Sequence, residues 1–392
     1  MKEPSFSIGV EEEYLLVDLA SRKIASSPPP ELFAACENAL EGRVSPEFLQ
    51  CQIEVGTPVC TTMDEVRSEL SYFRKTIGAE AARHGLAPIA ASTHPFADWT
   101  EQPHTDKERY NDLARVMQVV AKRLLICGMH VHIGIEDPEL RIDLCNQITY
   151  FLPHLLALST SSPFWRGRVT GLRSYRLSVF NELPRTGLPP RFDSHEGYRR
   201  TIDTLIQAGA IEDATKIWWD LRPSDRFPTL EMRITDVCPC VDDTVAIAAL
   251  FRCLCRMLYR LRRANQRWRQ YSGFLLAENR WQAQRHGSTS ELIDFGLKKS
   301  IAFRELIEEI IELVAPDAEF FGCEAEIAHI RKIVERGTSA ERQLALVGDT
   351  PEDSLIATEK LEAVVDQLVS ETQHGVASPS GVAAAQTASS RA

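Results

Sequence analysis

The sequence predicts an α+β fold in which a sheet turns one polar face to a cleft. Two observations predict it. Four segments alternate apolar and polar residues with period 2, and each places its apolar set on one face and Glu, His or Arg on the other. Much of the remaining chain repeats apolar residues at helical spacing behind recognisable capping signals.

Residues 9–17 place Glu11 and Glu13 on one side and Glu12 on the other. Residues 48–57 set Gln50, Gln52 and Glu54 against Leu49, Cys51, Ile53 and Val55. A capping box, Thr62-x-x-Glu65, then opens a helix on Val66, Leu70, Phe73 and Ile77, with Gly85 just beyond its end. Residues 125–135 set Gly128, His130, His132 and Gly134 against Cys127, Met129, Val131 and Ile133. Residues 216–222 are a fifth candidate strand, with Trp218, Asp220 and Arg222 opposite Ile217, Trp219 and Leu221. Residues 228–236 set Thr229, Glu231, Arg233 and Thr235 against Leu230, Met232 and Ile234. Asp242 and Asp243 precede a long helix to about Trp268, and further helices are expected over residues 303–314, 340–347 and 358–369. Residues 371–392, rich in Ala, Ser, Gly and Thr, read as a disordered tail. No repeat or Gly/Ser linker divides residues 1–370, which therefore read as a single catalytic domain.

Forty-four Lys and Arg against 55 Asp and Glu give a net charge of −11, so the summed field opposes binding to nucleic acid or anionic membranes. The arginines at 260, 262, 263, 267 and 269 resemble a nucleic-acid stripe, but cations in the last turns of a helix complement its dipole. The ten cysteines are scattered and lack Cys-x2-Cys spacing, so they read as reduced, buried small residues. The N-terminus has no apolar signal core and no stretch approaches the ~18 apolar residues of a membrane span, which makes the cytoplasm the expected location.

Two carboxylates at i and i+2 on a strand lie only ~7 Å apart and repel by about 2 kcal/mol, so a cation is expected between them. A floor of Glu11, Glu13, Glu54 and Glu231 with one or two histidines offers mostly hard oxygen donors and suits Mg2+ or Mn2+ better than Zn2+. No His-Glu-x-x-His run makes His130 and His132 a zinc-protease pair. Between Ser159 and Gly187, arginines sit amid Gly, Pro and Ser, in loops suited to holding guanidinium groups over phosphate or carboxylate. With no Gly-x4-Gly-Lys-Ser/Thr and no Gly-x-Gly-x-x-Gly motif, a bound nucleotide would be held by metal and arginines.

The runs Gly9-Val10-Glu11-Glu12-Glu13-Tyr14, Gly128-Met129-His130-Val131-His132-Ile133-Gly134, Ser161-Ser162-Pro163-Phe164-Trp165 and Thr229-Leu230-Glu231-Met232-Arg233 resemble the glutamate–cysteine ligase type 2 family of bacterial carboxylate–amine ligases. Glu278-Asn279-Arg280-Trp281-x-Ala283-x-Arg285-x-Gly287 resembles its C-terminal signature, so the likeness runs from about residue 6 to 370. The resemblance implies a glutamine-synthetase-like fold, with a curved antiparallel sheet as active-site floor and helices packed on its back. It implies ATP-dependent amide formation through an acyl phosphate, and glutamate–cysteine ligase activity yielding γ-glutamylcysteine, ADP and phosphate. By motif, Glu11, Glu13, Glu54, His130 and Glu231 would hold Mg2+, and His132 would face the nucleotide phosphates. Arg233 would bind the acidic substrate or a phosphate oxygen, and Arg173, Arg176 and Arg185 would neutralise the transferring phosphoryl group. Arg285 is placed with the nucleotide; Asn279 and Arg280 come with the signature and without a role. Glu12 points away and is no ligand. The implied partners are small molecules, glutamate or a similar acid and cysteine or another amine, with a homodimer as the assembly. The competing readings are a Mg2+-dependent phosphohydrolase or phosphotransferase on the same floor, and a binding module that has lost chemistry.

Overall fold

Strand β1 (Ile8–Asp18) organises the molecule because its alternation sends Val10, Glu12 and Tyr14 into the core and Glu11 and Glu13 to the opposite face. In the computed structural model, which describes residues 2–349 and 354–375, β1 joins β2 (Val44–Pro46), β3 (Gln52–Gly56), β4 (Leu86–Ile89), β5 (Met129–Gly134), β6 (Leu221–Pro223) and β7 (Thr229–Met232). The order is β6–β7–β5–β1–β3–β2, with β4 also paired to β1, and every pairing is antiparallel. The strands are shorter than the alternation that predicts them. Residues 48–51 turn before β3, and residues 125–128 approach β5 as irregular chain.

Residues 216–222 do not form one strand. They break at Asp220 into Trp218–Trp219, which pairs in parallel with Thr186–Gly187, and β6 of the main sheet. The break has a cause: the buried Asp220 carboxylate accepts from Arg280 Nε at 2.6 Å, and its carbonyl accepts the N–H groups of Arg233 and Ile234.

Helices cover the apolar face. Helix α1 (Met63–Ala82) begins at the expected capping box, Thr62 accepting from Glu65 N, and buries Val66, Leu70, Phe73 and Ile77. Helix α2 (Val241–Arg263) is buried along most of its length and ends five residues before Trp268. Its terminal cations are held by acids: Arg260 by Asp317 at 2.8 Å, and Arg262, like Arg267 beyond it, by Asp143. Helices α3 (Gly273–His286), α4 (Phe303–Phe321), α5 (Glu324–Arg336), α6 (Ser339–Val347) and α7 (Thr358–Gln373) complete the shell. Helix α7 runs past the expected boundary at residue 371: Thr372 is buried and accepts from Ala90 N, and Glu371 pairs with Arg342. The rest of the expected tail, from residue 376, lies outside the described residues. All ten cysteines are free thiols and nine are buried. Among the described residues no helix is long and apolar enough to cross a membrane.

Glu12 ties these layers together. Its carboxylate accepts from Arg74 on α1 at 2.6 and 3.0 Å and from Thr244 on α2 at 2.8 Å, and both Glu12 and Arg74 are 0% exposed. Arg74 also donates to the carbonyls of Cys238 and Pro239. Removing one partner strands the other charge in the core, so Glu12→Gln should lower unfolding free energy by about 3–5 kcal/mol. Urea titration checks this; Glu12→Leu combined with Arg74→Met should recover part of the loss, because no buried charge then remains.

Candidate active site

The register of the sheet decides which polar groups meet. Glu54 lies opposite Glu13 and Ser45, His130 opposite Glu11, and Glu231 opposite both His132 and Arg222. Directly opposed residues in an antiparallel ladder share a face, so these groups form one floor under a cleft of about 510 Å³. Of the residues singled out by sequence, the cleft brings together Glu11, Glu13, Glu54, His130, His132, Arg176, Glu231 and Arg233.

His130 Nδ1 stands 3.3 Å from one Glu11 oxygen and His132 Nε2 3.5 Å from the other. His132 Nδ1 is 3.0 Å from the Thr229 hydroxyl. Glu13 accepts from Gly128 N at 2.7 Å, and Glu54 from Ser45 Oγ at 3.0 Å. Glu231 is clamped by Arg222, whose Nε donates at 2.8 Å, and by Arg233. Arg176 is buried and donates to the carbonyls of Arg233 at 3.2 Å and Ile234 at 3.4 Å. Its guanidinium lies so flat on Gly128 that a Cβ there would meet Nη2 at 2.3 Å. The loop carrying Arg176 is fastened by buried Asp236, which accepts from Ser161 N and from the hydroxyls of Ser162 and Ser174 at 2.7–2.9 Å. The Ser-Ser-Pro-Phe-Trp run thus fastens the arginine loop to the chain that follows β7.

Glu47 joins the site without having been singled out. Glu13, Glu47 and Glu54 each offer an oxygen within 4.8 Å of the others, and an oxygen each from Glu11 and Glu54 lies as close to a ring nitrogen of His130, so that Glu54 belongs to both groups. Glu47 sits in the irregular chain before β3, where period-2 reasoning has no purchase. Arg222 was visible, since it alternates with Leu221 in the fifth segment. Arg173, Arg185 and Arg285 do not line the cleft. Arg185 donates to the Lys216 carbonyl at 2.9 Å and packs on Trp218, while Arg173 and Arg285 lie against Gly287 and Gly171. Asn279 exchanges two hydrogen bonds with the Ile293 backbone, and Arg280 pairs with Asp220, so both serve the fold.

The electrostatics divide the floor. Burial pushes the Glu13 carboxyl up to about 7, with Glu54 adding repulsion against Arg176 and the Gly128 N–H. Burial and neighbouring carboxylates likewise raise Glu54 and Glu47. Burial opposes ionisation of Glu11 and Glu231 too, but His130 and His132 in one case, and Arg233 and Arg222 in the other, outweigh it and hold both carboxyls far below the ordinary range. Burial, reinforced by Arg233, pulls His130 down to about 4 and keeps it neutral, as a ligand must be. Oxygen-rich groups whose carboxylates repel one another, with a neutral imidazole at one edge, fit a hard divalent cation.

An antiparallel sheet backed by helices carries an acidic, arginine-lined cleft on its open face, and the family that the chain matches places this architecture among the carboxylate–amine ligases. The chain belongs to the family described as glutamate–cysteine ligase family 2 (GCS2), whose model matches residues 7–367. It is 57% identical over 376 residues to a Rhodospirillum rubrum protein named "Putative glutamate--cysteine ligase 2", covering 95% of this chain and 97% of that one. A Paracoccus denitrificans protein of the same name is 50% identical, covering 94% and 98%. Among solved structures, a glutamate–cysteine ligase from Francisella tularensis in complex with AMP superposes with a TM-score of 0.63 at 11% identity, over 96% of this chain and 91% of that one. A bifunctional glutathione synthetase from Pasteurella multocida gives 0.66 at 14%, over 93% of this chain and 52% of that longer one. At such identities these two show the fold alone, the α+β class expected from the sequence.

Carboxyls with raised folded-state pKa values bind protons that the unfolded chain has released. Their contribution to stability is therefore complete below about pH 4.5 and lost as pH rises through about 7. The buried histidines His94, His130 and His154, held near 4, act in the opposite sense up to about pH 6.5. The Tm of chelator-treated protein should therefore fall between about pH 6.5 and about pH 8, and Mg2+ should raise Tm more at the upper end, where no proton has to be displaced. Thermal melts across that range with and without Mg2+ measure both effects.

Proposed function

We propose that the chain is an ATP-dependent carboxylate–amine ligase that activates an amino-acid carboxylate, glutamate's γ-carboxylate in the first instance, as an acyl phosphate and passes it to the amine of cysteine or a related compound. The products are the amide, γ-glutamylcysteine for that pair, with ADP and phosphate. The observation that carries this reading is the floor itself: two carboxylate groups sharing Glu54, set beside arginines, on the open face of a sheet in a ligase family. The Francisella tularensis ligase, solved in complex with AMP, supports adenine nucleotide as the second substrate.

In this reading Glu11, Glu54 and His130 would hold one Mg2+ and Glu13, Glu47 and Glu54 another, whereas Glu231, expected from its motif to be a ligand, belongs to neither group and is paired with Arg222 and Arg233. Bound Mg2+ would supply charge that neutralises phosphate oxygens and lets anionic substrates approach a floor of glutamates. The protein's own work is orientation and charge. Arg233, with Nε buried and lacking a hydrogen-bond partner, has a donor to spare for a substrate oxyanion. Arg222 holds Glu231 in place, and His132 Nε2, 3.5 Å from Glu11 and making no closer hydrogen bond, would turn to a phosphate oxygen. Arg176, locked over Gly128, brings fixed positive charge to the Glu13 side, where phosphoryl transfer gains most from preorganised electrostatics.

The direct assay is ADP release in the presence of Mg2+, ATP and glutamate, with amines added singly and products weighed. Amine-dependent ADP release with an adduct of glutamate plus amine minus water is the expected result, whereas steady amine-independent phosphate release would replace the ligase reading with a phosphohydrolase. Glu11→Gln should lower kcat/KM by at least about 100-fold in a folded protein. Glu231→Gln should also remove activity but, unlike Glu11→Gln, lower Tm, because it leaves the buried Arg222 and Arg233 without their shared counter-charge.

A further inference from the structure

The cations of the cleft fall into two kinds. Those on the floor are engaged: Arg222 and Arg233 hold Glu231, Arg176 is spent on backbone carbonyls, and Lys216 pairs with Glu212 at 3.4 Å. Those on the walls are not. Lys107, Arg109 and Arg226 line the same cleft, and none has a hydrogen-bonded or ion-paired carboxylate among the described residues. The Lys107 ammonium lies over the ring of Tyr110, 6.0 Å from its centroid. In a chain of net charge −11, over a floor carrying five glutamates, three unneutralised cations face the opening through which anionic substrates must pass.

Lys107 and Arg109 ride on, or beside, an element with little holding it. Helix Glu108–Met117 buries none of its residues fully, although its apolar and charged side chains are well segregated. Tyr110 and Leu113 turn toward the cleft, and Val116 on the outside is 64% exposed. The helix is tied to the sheet by Tyr110, whose hydroxyl donates to the Pro46 carbonyl at 2.9 Å, and it ends at Gln118, a non-glycine residue with φ of +49°. Tyr110, Leu113, Ala114 and Met117 pack against the edge of the core while staying partly exposed, and an element with no fully buried residue opens at lower free energy than the core helices. The arginine loop over residues 166–190, by contrast, is pinned through Asp236 and through Arg166 on Asp98. Arg226 approaches from the turn between β6 and β7, beside Phe227, whose ring stands edge-on to His132 at 6.3 Å.

We propose that Lys107 and Arg109 from the helix wall, with Arg226 from the turn after β6, form the oxyanion-receiving mouth of the site, and that helix Glu108–Met117 closes over the bound anion as a lid. The ligand chemistry is a phosphate or carboxylate oxyanion, from the nucleotide's polyphosphate or from the amino-acid substrate. This rests on the ligase reading for the identity of those substrates, but the oxyanion contact itself can be tested without turnover.

The test uses the full chain with Mg2+ and two probes, inorganic tripolyphosphate and glutamate, each alone. Calorimetry reads affinity, and mass spectrometry reads the rate of tryptic cleavage after Arg115 and Lys122, at and just beyond the end of the helix. At least one probe should bind wild-type protein and slow that cleavage. Arg109→Gln and Arg226→Gln should each weaken that probe by about 10-fold and abolish the protection. Arg115→Gln, whose guanidinium pairs with Asp112 on the outer side, should bind as wild type. Which probe responds names the source of the anion. Unchanged affinity in both cleft variants, or neither probe binding wild-type protein, overturns the proposal. If the variants lose binding while no amine supports ADP release, the mouth stands and the ligase reading falls; if amine-dependent turnover is intact in Arg109→Gln and Arg226→Gln, with unchanged KM for nucleotide and acid, the reading stands and the mouth falls.

Discussion

Three consecutive carboxylates on β1 have to be compensated, and the pleat of the strand forces the compensation to come from two sides. Glu12 enters the core, where water cannot help it, and is balanced by the equally buried Arg74 and by Thr244. Those two residues belong to α1 and α2, so the requirement of one charge fixes where both helices sit on the sheet. Glu11 and Glu13 emerge on the other face and find His130, Gly128 N and Arg176 rather than a full set of counter-ions. The same three-residue run therefore builds the back of the molecule and leaves its front short of positive charge.

That shortage is distributed unevenly across the cleft. On the β7 side, Arg222 and Arg233 satisfy Glu231 and leave it firmly ionised. On the β2–β3 side, Glu13, Glu47 and Glu54 crowd together with hydroxyl and backbone donors close by, and Arg176 and Arg233 offset their charge only in part. A divalent cation relieves repulsion where carboxylates outnumber donors, and arginines receive oxyanions where they do not, so under the proposed reading this gradient would separate a metal end from a substrate end.

Much of the floor was legible because strand alternation is a local property. Glu11, Glu13, Glu54, His130 and Glu231 could be assigned to one face from spacing, and Glu12 to the other, with no knowledge of which strand lies beside which. Glu47 escaped because it precedes β3 in irregular chain, where side-chain direction follows no period. Arg173, Arg185 and Arg285 were grouped by motif with the transferring phosphoryl or the nucleotide, yet the chain after Ser162 carries Arg173 to Gly287 and Arg185 to Trp218, and the last turn of α3 carries Arg285 to Gly171. Loop direction depends on contacts such as those of Asp236 with Ser162 and Ser174, which are long-range and leave no spacing in the sequence.

What the sequence by itself determined was the set of faces: which residues of each strand look into the cleft, where α1 starts, and the family whose motifs the chain carries. What only the tertiary structure decided was adjacency. The strand order β6–β7–β5–β1–β3–β2 puts Glu231 beside His132, and Glu54 between Glu13 and Ser45, although these pairs lie up to about a hundred residues apart in the chain. A strand's own residues set the direction of its side chains, but its neighbours are chosen by burial of the whole apolar face and by charges such as Glu12 that must find a partner in the core.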